Sequence, residues 1–200
     1  MVKSLLHKRS ICSALALGRK AGVPNLIFMT DSERVPDIVS ACSRLPAGSI
    51  IICRDYHHVD RRGFAAELRA ITRENNQFLM VAGDIELAHY VGADGYHMPE
   101  YQLKKPPNLA GFGLVSAACH TRKSLKKAER LAVDFALVSP VFPTASHPGA
   151  RHLGVHRLKR IIEGVKVPVV ALGGVNKHTV GALKGLPLIG IAAIDAFSAE

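Results

Sequence analysis

Tryptophan is absent from this chain, and its other aromatic residues, 6% of the total, do not interleave with its basic clusters. A stacking platform for single-stranded nucleic acid is therefore unsupported, because such platforms alternate aromatic faces with cationic side chains. Cysteine is scarce too. Cys12, Cys42, Cys53 and Cys119 are scattered without a Cys-x-x-Cys pair, which signals neither a zinc site nor a disulfide framework and suits a reducing cytoplasm. No apolar run approaches the roughly eighteen residues of a membrane span. The Ala14-Leu15-Ala16-Leu17 run is broken by Gly18, Arg19 and Lys20, which argues against a signal peptide.

Acidic residues are outnumbered, 16 against 26 basic ones, and the net charge is +10. Such a balance suits an anionic partner such as phosphate or pyrophosphate. Most of the basic clusters, among them Arg61-Arg62, Lys104-Lys105 and Lys126-Lys127, read as solvated faces of outer helices. Nucleic acid is not expected as a partner.

What the chain does hold is apolar material, 48% of 200 residues, enough for the core of one domain spanning 1–200. Eight short apolar runs recur along it: Asn25–Asp31, Gly48–Asp55, Phe78–Gly83, Tyr96–Met98, Phe112–Ala118, Asp134–Ser139, Val167–Leu172 and Leu188–Ile194. Each stops at charged residues, Gly, Pro, Ser or Thr, the pattern of a buried parallel strand with a loop at its carboxyl end. Helical stretches alternate with them, predicted over 32–45, 60–75, 84–91, 121–131, 154–164 and 176–184, with Asp84, Thr121 and Asn176 as caps. This alternation predicts a (β/α)8 TIM barrel. It carries an extra N-terminal helix, Ser4 to Lys20 within a 1–22 extension, and a truncated eighth helix. An apolar seam between the last and first strands would then favour a homodimer. Ligands of such barrels collect at the carboxyl ends of the strands, here Ser139–His147 and Gly173-Gly174.

Gly92-Ala93-Asp94-Gly95-Tyr96-His97, His120-Thr121, Ser139-Pro140-Val141-Phe142-Pro143-Thr144, Leu153-Gly154 and Pro168–Val175 together resemble the thiamine phosphate synthase and TenI superfamily. The resemblance implies a synthase of thiamine biosynthesis that joins a pyrimidine methyl pyrophosphate to a thiazole phosphate with loss of pyrophosphate. The alternatives it leaves are a TenI-type thiazole phosphate tautomerase and a non-catalytic barrel that binds a phosphate ligand. It places Arg54 at the family's strand-two arginine, and Thr144, Gly173 and Gly174 on the thiazole phosphate side. His120 stands where many members carry a histidine, and an imidazole there is a reasonable acid or base. His147 takes the place of a loop lysine, and His97 could join both at the mouth.

Magnesium, which the resemblance also implies, meets departures. The family's Asn-Asp pair after strand three reads Ala82-Gly83 and its acidic residue after strand four reads Gln102, which leaves Asp84 and Glu100 nearby as candidate ligands. Tyr56 replaces a lysine, Ala118 a serine, and Asp195 a small hydroxyl residue beside the phosphate, where a carboxylate would repel it. Arg54 also has a plain structural reading, an ion pair with Asp55 or another neighbouring carboxylate.

Overall fold

The computed structural model describes residues 25–144, 149 and 151–195. The expected N-terminal helix, His147 and the chain's last residues lie outside them. Eight strands form a closed barrel in sequence order: β1 (Asn25–Met29), β2 (Ile50–Cys53), β3 (Phe78–Ala82), β4 (Gly95–Met98), β5 (Leu114–Cys119), β6 (Phe135–Val138), β7 (Val169–Leu172) and β8 (Gly190–Ala193). Every neighbouring pair is parallel, and β1 closes on β8 with Leu26 opposite Ile191 and Phe28 opposite Ala193. Residues of β2, β4, β6 and β7 are buried throughout. Their continuous apolar runs follow from this, since one face packs inside the barrel and the other under the helices. The eight-stranded expectation holds.

The helices are α1 (Ile38–Ser43), α2 (Arg61–Glu74), α3 (Ile85–Tyr90), α4 (Arg122–Arg130) and α5 (Gly154–Ile162), with 3-10 turns at Glu100–Lys104 and Val180–Leu183. Two differ from the sequence expectation. The first helix begins at Ile38, not near Ser32, because Pro36 disfavours a helical Val35, and Asp37 supplies the cap by accepting from Ser40 N at 2.9 Å. After β7 only the 3-10 turn forms. Asn176 accepts from His178 N and Thr179 N at 2.9 and 3.2 Å, yet Gly181 and Gly185 lie in the next turns, and glycine favours a helix less than alanine by about 1 kcal/mol.

Other caps are placed as read. Asp84 accepts from Leu87 N at 2.9 Å, and Thr121 with Ser124 forms a reciprocal capping box at the start of α4. At the amino ends of the strands a carboxylate device occurs twice. Asp94, just before β4, accepts from Leu79 N of β3 at 2.8 Å, and Asp134, just before β6, accepts from Val115 N of β5 at 2.8 Å. Asp94 also takes Arg69 Nη1 of α2 at 2.7 Å, with both side chains 10% exposed. Each carboxylate pins one strand start to the next, on the face of the barrel that serves stability. Cys42, Cys53 and Cys119 are buried and reduced, and burial pushes each thiol up to about 12.

Candidate functional site

A cavity of about 520 Å³ opens at the carboxyl ends of the strands. Met29 ends β1 in the wall, and most loops contribute: Arg34 after β1, Arg54 and Tyr56 after β2, Pro99, Glu100 and Tyr101 after β4, His120 after β5, Thr144 and Arg151 after β6, Gly173 and Gly174 after β7, and Asp195 after β8. Among the described residues, the end of β3 contributes none. The sequence candidates Arg54, His120, Thr144, Gly173, Gly174 and Glu100 thus share one cavity, whereas Asp84 stands outside its wall.

The Gly-Gly turn is built by close approach. Gly173 and Gly174 hold φ of +93° and +65°, and a Cβ would fall 2.8 Å from Pro140 Cα at the first and 2.3 Å from Pro143 O at the second. Only glycine accepts both the left-handed backbone and the contact. The turn is tied to the β6 loop: Val141 N donates to Leu172 O at 3.0 Å and Phe142 N to Gly173 O at 2.9 Å. Thr179 Oγ1 donates to Gly174 O at 2.7 Å. In a planar trans peptide the N–H points opposite the preceding carbonyl. The N–H groups of Gly174 and Val175 are therefore directed away from those partners, as a backbone phosphate site requires.

Asp195 does stand in the cavity wall, but the repulsion expected of it is offset, because its carboxylate pairs with the Arg34 guanidinium from the β1 loop. Sequence reading missed Arg34 and Arg151 as wall residues. Arg34 and Asp195 are 161 positions apart, and no local pattern joins them. Arg54 pairs with Asp31, not with Asp55. The Asp55 carboxylate turns instead to Thr30 Oγ1 and Ser32 N. Burial alone would raise Asp55, but those hydrogen bonds outweigh it and hold the carboxyl below its ordinary value.

His120 Nδ1 lies 2.7 Å from Ser139 O. A carbonyl oxygen only accepts, so Nδ1 carries the hydrogen and Nε2 is the nitrogen left for proton exchange. Nε2 is 3.5 Å from Glu100 Oε2.

His97 differs from the mouth residue anticipated. It is 2% exposed on the floor of the cavity, its Nδ1 is 2.8 Å from Ser116 Oγ, and burial pushes its imidazole down to about 4. Stability follows with a definite sign. Below the ordinary histidine value of 6.5 and down to about 4, the unfolded chain binds a proton that the native one refuses. Native stability is thus lost as pH falls through that window, by roughly 3 kcal/mol from this residue. Urea unfolding at neutral pH and near the lower end should show this slope, and His97→Gln should flatten it. An equal slope in the variant would assign it to other groups.

The two candidate magnesium ligands among the described residues are both engaged with other partners. Among the described residues no group of three or more His, Cys, Asp or Glu side chains could hold a metal ion. Of the two candidates, Asp84 caps α3 and faces Arg61 Nη1 at 3.4 Å, and Glu100 faces His120. No helix among the described residues is long and apolar enough to cross a membrane.

Comparison with known proteins places this geometry in context. A family model described as thiamine monophosphate synthase matches residues 26–197. The thiamine-phosphate synthase of Pyrococcus furiosus is 31% identical over 176 residues, 86% of this chain and 85% of that protein. That of Archaeoglobus fulgidus is 36% identical over 134 residues, 66% of this chain and 63% of the other. The solved structure of a thiamine phosphate pyrophosphorylase from Pyrococcus furiosus is similar with a TM-score of 0.72 at 30% identity, covering 88% of each chain.

Proposed function

The chain belongs to the thiamine monophosphate synthase family, and from that premise we propose that its cavity joins a pyrimidine methyl pyrophosphate to a thiazole phosphate. In that reaction the C–O bond to pyrophosphate breaks with its electron pair leaving, and the thiazole ring supplies the pair for the new bond. The observation that carries the reading is the sharing of one cavity by the Gly173-Gly174 turn with Thr144 on one side and Arg54 on another. The turn and Thr144 take the thiazole phosphate, and Arg34 offsets the charge of Asp195 in the same wall. Arg54 faces the charge that builds on the departing pyrophosphate, where a fixed guanidinium acts without reorganisation. His120 presents Nε2 in the same cavity beside Glu100, an acid or base that the bond exchange itself does not use and that the isomerase alternative would. The enclosing walls keep water from a carbocation-like pyrimidine. His147, read from the sequence as a third member, lies outside the described residues. A cytoplasmic location and a homodimer, expected from the cysteine usage and the apolar seam, go with this reading. The relatives' synthase and pyrophosphorylase names support the transferase over the isomerase and the non-catalytic binder.

Incubating the full chain with both substrates should yield thiamine phosphate, detected by chromatography. Arg54→Ala should lower kcat/KM by about a hundredfold or more, as removal of a donor to developing charge does. A folded, soluble protein that forms no product under any ionic condition would sink the synthase reading.

A further inference from the structure

The place where the family resemblance puts a metal is closed in this chain by an aromatic ring and a cation. Gly83, at the end of β3, holds φ +75°, and a Cβ there would lie 2.9 Å from Tyr56 Cε1 and 3.3 Å from Pro99 Cγ. A carboxylate side chain at this position has neither the backbone conformation nor the room. Gln102, at the second acidic position, has both ends of its carboxamide engaged: Nε2 donates to Gly83 O at 3.2 Å and Oε1 accepts from Tyr96 O–H at 2.8 Å. Arg61 Nη2 donates to Ala82 O at 2.7 Å, and its guanidinium carbon lies 5.2 Å from the Tyr56 ring centroid. Magnesium needs several oxygen ligands in a near-regular octahedron at about 2.1 Å. Here the strand-end carbonyl already serves a cation whose charge opposes a second one.

Anion-binding capacity lies elsewhere in the cavity. Arg34 and Arg54 stand on the loops after the adjacent strands β1 and β2, each oriented by a carboxylate. A guanidinium has five N–H donors, so the Asp31 contact of Arg54 is compatible with a bidentate phosphate contact.

We propose, resting on the synthase reading above, that this barrel holds the pyrophosphate leaving group of its substrate without a divalent cation, on the Arg54 guanidinium with Arg34 beside it. Tyr56 and Arg61 replace the metal's place rather than surround it. The anion's charge is met by fixed guanidinium groups, so a chelator removes nothing the site uses.

Calorimetric titration of inorganic pyrophosphate into the full chain, once in excess EDTA and once in excess magnesium, tests this. The two Kd values should agree within about threefold, and Arg54→Gln should weaken binding about tenfold or more in EDTA, as loss of a charge-assisted contact does. Binding that requires magnesium, or is tightened by it more than about tenfold, overturns the proposal. So does absence of binding in EDTA, or an Arg54→Gln chain that binds undiminished. Product formation measured in parallel keeps the two readings apart. Thiamine phosphate made only with magnesium would overturn the metal-free site and leave the synthase standing. EDTA-insensitive pyrophosphate binding without product would do the reverse.

Discussion

Asp94→Ala is expected to destabilise the barrel by about 3–5 kcal/mol, the loss typical of breaking a buried ion pair from one side. Arg69 is 8% exposed and would be left charged in the wall between α2 and the sheet. Its contact with Gly92 O at 3.3 Å is no substitute for a carboxylate. The same substitution removes the acceptor of Leu79 N, so the start of β3 loses its anchor as well. Asp94→Asn keeps an acceptor for that N–H but not the charge, and should fall between the two. The double variant Arg69→Met, Asp94→Leu should recover the part of the loss that comes from the charge left unpaired, but not the part from the lost acceptor of Leu79 N. Urea unfolding measures all three. A loss below about 1 kcal/mol, the range of exposed pairs, would mean that the pair behaves as a surface contact.

Gly174→Ala should have its main effect on binding and turnover. The methyl group would sit 2.3 Å from Pro143 O and 2.8 Å from Phe142 Cβ, and a backbone oxygen cannot yield as the end of a flexible side chain can. The β6 loop must move, carrying Thr144 with it and stretching the Phe142 N to Gly173 O bond. Left-handed backbone adds a penalty of about 1–2 kcal/mol for a residue with a Cβ. A displacement of about 1 Å in such a site lowers rates about a hundredfold, so kcat/KM for the thiazole phosphate should drop at least that far. Gly181→Ala is the control, since nothing lies within 4 Å of a Cβ there. Equal kinetics in the two variants would remove the Gly-Gly turn from the site.

The barrel was legible because its signals are local. A run such as Ile50–Cys53 needs only its own residues to read as a doubly buried strand, and the Asp84 and Thr121 caps act within three positions. The Gly173-Gly174 turn could be singled out for the same reason. Its identity as glycine reports a backbone state, although the oxygen it avoids belongs to a loop about thirty residues earlier. Pro36 was equally visible, and its effect on Val35 accounts for the late start of α1.

The partners of the charged groups were decided by closure of the barrel. Arg54 has Asp55 beside it in sequence, yet parallel pairing of β1 with β2 brings Asp31 to its guanidinium and Thr30 to the Asp55 carboxylate. Pairing of β1 with β8 brings Arg34 to Asp195. His97 reads as one histidine among ten, and only the register of β4 on β5, which sets it opposite Ser116, makes it a buried neutral imidazole. The absence of carboxylates at Ala82, Gly83 and Gln102 was plain from the sequence alone, but what fills their place was not. Tyr56 and Arg61 come from a different strand-helix unit, and an aromatic ring finds the space above Gly83 only once β2 and β3 lie side by side. Strand, turn and cap energies act over a few residues and can be read along the chain. Ion pairs and desolvation act over a few ångströms of space, and the sequence distance across such a gap is set by the fold.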